Sequence, residues 1–263
     1  MKGRRGFTLL EVIIAIAVIS ILAAIAVPYV AGVIDQTRRE STRKEMEGLY
    51  DAIMGNPQSP TAGFAGDMGR LPTALSQLNT RGGQPGGTTG ALGVNVGWFG
   101  PYVNSGFDPG GYLSDPWGTN YRYGAAPDGP GQVRSAGPDR NFLTADDIVY
   151  PPNPVNIYGR LLVNLYVWSV SAGQFVTNPQ PAANPGMTAS ATFYYSNSGS
   201  QATSSITLPP AGGPPYSFNG FHAGLHAVTA TCTLPGNPGP ATGQAVVYVP
   251  GNNQQAQLNL YLR

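Results

Sequence analysis

Residues 7–34 read FTLLEVIIAIAVISILAAIAVPYVAGVI, an almost uninterrupted apolar run. It exceeds the roughly 20 residues that a helix needs to cross a bilayer. Lys2, Arg4 and Arg5 precede it, so the positive-inside rule puts the N-terminus in the cytoplasm and the remainder outside. An ordinary secretory signal has a shorter apolar region followed by a small-residue cleavage site. Glu11 breaks that pattern, because a carboxylate at this depth costs several kcal/mol on most estimates unless it finds a partner, a proton or the interface. Pro28 removes a backbone hydrogen bond and predicts a kink or local melting.

Past Ile34 the side chains become polar, with Asp35, Arg38, Arg39, Glu40, Arg43, Lys44, Glu45 and Glu47. Met46, Leu49, Tyr50, Ile53 and Met54 then recur at helical spacing on one face. The pattern predicts one helix from Phe7 to Met54, ended by Gly55-Asn56-Pro57 and about 70 Å long. Its apolar stripe is expected to carry a head domain, while the charge run reads as a solvated face or as pairing between subunits.

RRGFTLLEV resembles the leader of type IV prepilins. That resemblance implies a dedicated prepilin peptidase cutting between Gly6 and Phe7, N-methylation of Phe7, and a glutamate fifth in the mature chain. In that family the glutamate pairs with the terminal ammonium of a neighbouring subunit, which gives Glu11 the partner that its depth demands. The resemblance further implies a homo-oligomeric filament, assembled from an inner-membrane platform with minor pilins or pseudopilins, that lies in the periplasm or on the cell surface.

Residues 55–110 are rich in Gly, Pro, Thr and Asn, with apolar islands at 71–78 and 96–103 and no clean strand alternation. The next stretch reads as turn, strand, strand and a tight acidic loop. Asp139, Asp146 and Asp147 lie close together there. Such carboxylates suit a hard cation that takes six to eight oxygens, although aspartates also cap turns, and the spacing is not that of an EF-hand. YLSDPWG and SAGPDRNFLTADDI, with RLPTALSQL and GPYV before them, resemble the major pseudopilin of type II secretion. That resemblance covers residues 1 to about 150. It implies a structural Ca2+ held by Asp139, Asp146 and Asp147 and by the main-chain carbonyls of Ala136 and Thr144.

Pro151, Pro152 and Pro154 mark a linker. Beyond it RLLVNLYVWSV, SATFYYS, YSFNGF, LHAVTATC, AVVYV and QLNLYL alternate with Gly/Pro/Asn turns, which predicts an all-β sandwich of six or seven strands. FNGFHAGLHAVTA resembles the transthyretin-like or carboxypeptidase-regulatory module, a likeness that bears on fold class alone. Residues 161–262 contain no Asp, Glu, Lys or Arg. Acid–base catalysis would have only His222 and His226 to use there, and a shared metal would lack a third ligand. Cys232, the single cysteine, has no positive neighbour in sequence to favour a thiolate and reads as a small buried residue.

The fold class expected is therefore α+β: a long N-terminal helix packed on a small antiparallel sheet, followed by an all-β sandwich. The expected divisions are a leader at 1–6, a helix at 7–54, a head with the calcium loop at 55–150, a linker at 151–157 and the β extension at 158–263. A net charge of +1 supplies no field for nucleic acid, and no nucleophile–base pair points to an enzyme. The function expected is a structural subunit of a type IV pilus-like filament, a type II secretion pseudopilin. The alternative is a surface pilin whose β domain mediates adhesion or ligand binding.

Overall fold

The computed structural model describes residues 8–56, 62–103, 110–208 and 215–263. Helix α1 (Leu9–Met54) opens on a capping box. The Thr8 hydroxyl accepts the Glu11 amide at 3.3 Å, and the Glu11 carboxylate accepts the Thr8 amide at 2.8 Å. These bonds satisfy two of the amides that every helix start leaves without an intrahelical partner. The helix runs unbroken through Pro28, so the local melting expected there is not what the structure holds. Its first half buries nothing: Leu9, Ile19 and Tyr29 are 80%, 63% and 74% exposed. Burial begins at Thr42 and continues through Met46, Leu49, Ala52, Ile53 and Met54, the stripe that the periodicity marked out. Gly55 then ends the helix with its amide bonded to the Asp51 carbonyl at 2.8 Å.

The head packs on that stripe. Helix α2 (Gly63–Met68) is followed by a two-stranded ribbon of β1 (Thr88–Thr89) and β2 (Asn95–Val96). A three-stranded antiparallel sheet follows, in the order β3 (Arg122–Tyr123), β4 (Val133–Ser135) and β5 (Ile148–Tyr150). Phe64, Met68, Leu78, Trp117, Val133 and Ile148 close one core against α1. The acidic segment forms the connection between β4 and β5.

The second domain contains β6 (Tyr158–Ser169), β7 (Gln174–Thr177), β8 (Thr188–Asn197), β9 (Ser200–Leu208), β10 (Tyr216–His222), β11 (Gly224–Thr233), β12 (Ala241–Val249) and β13 (Gln255–Leu262). One sheet runs β10-β6-β13, with β7 also on β6; the other runs β12-β11-β8-β9. Leu161, Val163, Leu165 and Val167 of β6 point into the core, and the residues between them point out, the period of two expected of a half-buried strand. Among the described residues eight strands stand where six or seven were expected. The two extra strands are β7, only four residues long, and β9, whose SQATSSITL carries too little apolar alternation to register.

The linker at 151–157 does not hold the domains apart. Val155 and Ala223, the latter in the turn between β10 and β11, are buried in the head's own core. Gly66 of α2 lies so close to Gly224 that a Cβ on Gly66 would sit 2.9 Å from the Gly224 Cα. Ser196 donates its hydroxyl to the Asp67 carbonyl at 2.5 Å, and Tyr248 donates to the Met54 carbonyl at 3.2 Å.

Candidate functional site

The acidic loop is built outward from the turn before it. Asp115 opens the DPWG segment and accepts the amides of Trp117 at 3.1 Å and Thr119 at 2.9 Å. Its second oxygen accepts the Ser135 hydroxyl at 2.6 Å, and the Ser135 oxygen accepts the Gly137 amide at 3.1 Å. One buried carboxylate thus ties the turn to the end of β4 and to the entry of the loop.

Within the loop, Thr144 donates to Asp146 Oδ1 at 2.8 Å and lies 3.2 Å from Asp147 Oδ1. The Asp139 amide donates to Asp146 Oδ2 at 3.2 Å, while the Asp139 carboxylate turns back to accept the Asn141 amide at 2.8 Å. Asp147 Oδ2 accepts the Leu143 amide at 2.8 Å and the Arg134 guanidinium at 2.7 Å. The hydrogen bond from the Thr144 hydroxyl holds the Asp146 carboxyl below its ordinary pKa. The structure therefore brings Asp146 and Asp147 together around Thr144, with Asp139 joined through its backbone. Ala136 is fully buried at the base of the loop.

The donor chemistry of the loop, oxygen throughout, fits a hard cation. In the conformation described, these carboxylates are satisfied by the chain's own donors. Among the described residues no three side chains of His, Cys, Asp or Glu gather closely enough to hold a metal.

Sequence reasoning missed Arg134 and Asp128. Arg134 binds the Asp128 carboxylate through Nε and Nη2, at 2.9 and 2.5 Å, as well as Asp147 through Nη1. Both carboxylates have side chains only 3% exposed, so the guanidinium offsets two charges that would otherwise be costly to bury. Its own pKa is raised by the hydrogen bonds that it donates to Asp128 and then to Asp147. A cation three residues after a Gly-Pro-Gly turn at the start of a strand was the available signal. Arg39 of α1 connects the loop to the helix: it pairs with Asp35 at 2.9 Å and reaches the Asp146 carbonyl at 3.4 Å. The charge run on α1 is thus a solvated face with one side chain tied to the loop.

At the N-terminus, Gly6 and Phe7 lie outside the described residues. Glu11 is placed as the third helical residue, bonded to Thr8. Helix α1 is the one element among the described residues long and apolar enough to cross a membrane. His222 and His226 stand on consecutive strands, β10 and β11. The His226 ring bonds the His222 carbonyl at 2.7 Å through Nε2. Cys232 is buried, and burial pushes its thiol up to about 11, which removes it as a nucleophile near neutral pH.

Comparison with known proteins places these features. Residues 1–27 match the prokaryotic N-terminal methylation motif. The chain is similar to the type II secretion system core protein G of Xanthomonas campestris pv. campestris, with 31% identity over 127 residues, covering 48% of this chain and 73% of that protein. It is also similar to the core protein G of Klebsiella pneumoniae, with 28% identity over 154 residues, covering 56% of this chain and 94% of that one. No solved structure matches the chain.

Proposed function

This chain belongs to the family of type II secretion system core protein G, and from that premise we infer how its own residues serve a pseudopilin. It is a structural subunit of a type IV pilus-like filament, anchored in a membrane through α1. The observation that carries this reading is the pairing of an N-terminal methylation motif with a 46-residue helix whose apolar half is exposed throughout. A surface so apolar is covered by lipid before assembly and by neighbouring helices after it.

The finer steps are proposals. A prepilin peptidase cuts between Gly6 and Phe7 and the new terminus is N-methylated. The helix sits in the inner membrane with the head outside the cytoplasm. Subunits then enter the filament from an inner-membrane platform shared with minor pseudopilins. Glu11 trades its capping bond to Thr8 for the ammonium of a neighbour, a pairing that low dielectric strengthens. Ca2+ is proposed to bind the 136–147 loop, with Asp139, Asp146 and Asp147 supplying carboxylates and Ala136 and Thr144 supplying carbonyls. What supports it is the all-oxygen donor set, collected on a connection that Asp115 and Ser135 already fix.

Two measurements test the reading. N-terminal sequencing of the mature protein should begin at Phe7, and retention of Met1 to Gly6 would remove the processing step. Deletion of the gene should strand exported proteins in the periplasm. A normal secretome from that strain would sink the assignment to secretion.

A further inference from the structure

We propose that a cleft beside α2 binds a pair of carboxylates carried on an acidic segment of another protein. The cleft holds about 580 Å³ and is lined between Arg70 and Pro85 by residues that include Arg70, Ser76, Gln77, Thr80, Arg81 and Gln84. Its lining lies wholly within the described residues and adjoins no undescribed segment in sequence. Val103 and Gly111, which stand on either side of 104–109, line a different cavity, against Glu45 and Leu49 of α1. Formal charge is scarce around the cleft. Residues 62–103 and 151–263 contain only Asp67, Arg70, Arg81, Arg160 and Arg263 as charged side chains, and two of those four cations line this one cleft. Among the described residues neither forms an ion pair; such pairs are confined to Arg39, Arg122 and Arg134.

The side chains are held ready for an acceptor. The Arg70 guanidinium lies 5.4 Å from the centre of the buried Phe64 ring, and it donates to the Leu71 carbonyl at 3.0 Å and to Gln84 Oε1 at 3.2 Å. Gln84 thereby spends its oxygen, and its Nε2 is buried without a partner. Arg81 lies across Gly86, where an added Cβ would come within 2.8 Å of its Nη1. The cleft therefore offers two cations and a spare amide donor, with no Asp or Glu in its lining. Guanidinium forks match carboxylate oxygens through paired N–H···O bonds. The volume is many times the roughly 30 Å³ that a water molecule takes up, so the anion arrives on a larger body. Lipid headgroups are out of reach, because α2 packs on the far end of α1, and Met54 lies about 30 Å along the helix from Ile34, where the apolar run stops. A second copy of this chain has few carboxylates to give. In the belt on α1, Asp35 pairs with Arg39, Glu40 accepts from Gln36, and Glu45 accepts from Ser41 and Tyr121. That leaves Glu47, one carboxylate for two guanidiniums.

The test uses the full chain in detergent micelles and a fluorescent peptide, Gly-Ser-Glu-Asp-Ser-Gly, blocked at both ends; the same peptide with Gln-Asn at its centre is the control. Saturable binding of the acidic peptide by anisotropy at low salt is expected, with the neutral peptide about tenfold weaker or more. Arg81→Gln should weaken the acidic peptide about tenfold, the loss of one charge-assisted pair. Arg81→Lys should lose less, and Arg160→Gln, outside the cleft, should lose nothing. The proposal is overturned by an absence of binding at millimolar peptide, by equal affinity for the two peptides, or by an equal loss in Arg160→Gln, which would reduce the effect to diffuse attraction. It is also overturned if inorganic phosphate displaces the peptide where acetate does not, which would make the cleft a phosphate site. Tighter binding of a peptide spanning 40–51 would make a second copy the occupant, and binding that appears only in Asp108→Asn would mean that the chain supplies its own acid; each overturns it. Arg70→Gln also loses the Phe64 contact, so the exposed Arg81 carries the test even if the Arg70 variant fails to fold.

Discussion

His226 shows how far a single buried ring can report on the domain around it. It is 2% exposed, and its Nε2 faces the His222 carbonyl, an acceptor only, so Nε2 carries the proton and Nδ1 is left without a partner. Burial pushes its pKa from 6.5 down to about 4. The native state therefore holds the neutral ring, and its contribution to stability is full above about pH 6.5 and lost as pH falls toward about 4. Asp67, at the junction of the domains, has the opposite sign. It accepts the Tyr102 hydroxyl at 2.9 Å, its Oδ1 has no partner, and burial raises it to about 6. Its folded form favours the proton, so its contribution is present below about pH 4 and lost as pH rises through about 6. At neutral pH, Asp67→Asn is expected to raise the melting temperature by a few degrees, since the amide still accepts from Tyr102 and no charge is buried. His226→Gln should flatten the loss of stability between pH 6.5 and 4. Differential scanning calorimetry across pH separates the two effects; a parallel shift at every pH would refute both. In the acidic loop, Asp139, Asp146 and Asp147 were legible in sequence because aspartates are scarce in this chain. Arg134 was not, because its partners Asp128 and Asp147 flank it from different turns. Arg134→Met should cost about 3 kcal/mol by leaving Asp147 without its cation and Asp128 with Arg122 alone, at 3.9 Å, measured by denaturant unfolding.

Among the elements, α1 does two jobs that one residue joins. Glu11 caps the helix in the isolated subunit and is proposed to pair with a terminal ammonium in the filament, and two substitutions separate these roles. Glu11→Gln keeps a side chain able to complete the capping box but removes the charge, whereas Glu11→Ala removes both. If charge pairing sets the subunit register, both variants insert into the membrane and neither forms filaments under electron microscopy. Filaments from Glu11→Gln would show that capping alone matters. The helix was legible because hydropathy and a period of 3.6 persist over many turns, and its end was legible in the Gly55-Asn56-Pro57 stop. The strand β9 was not. Its alternate positions are Ser and Thr, whose hydroxyls bond across strands, as Thr192 and Ser205 do at 2.9 Å, instead of announcing an apolar face. The head's two- and three-residue strands are too short for any period to show.

At the scale of the whole molecule, the Pro-rich segment reads as a linker in sequence, and the packing joins the two domains across it. Gly224 has a φ of +130° and meets the Gly66 Cα, so Gly224→Ala strains the backbone and collides with α2 at once. It is expected to destabilise by about 2 kcal/mol or more and to lower the head and β transitions together; separate transitions would show the domains to be uncoupled. Added Ca2+ should raise the melting temperature of the full chain, and Asp146→Asn should abolish the rise. An unchanged transition in the wild-type chain would remove the cation from the loop. None of the glycine contacts could be read from sequence, because a glycine among the 36 in this chain carries no mark of what approaches it.

The stretch without Asp, Glu, Lys or Arg has an electrical consequence. Mobile ions screen formal charges most strongly, and at physiological strength they do so over about 8 Å. The β domain offers them almost nothing between Arg160 and Arg263, while the belt from Asp35 to Glu47 on α1 offers them eight charged side chains. Raising the salt concentration therefore acts more strongly on the charged belt of α1 than on the β domain. If stems pair through that belt in a filament, their association is expected to weaken with added salt, while contacts made by the neutral domain respond far less.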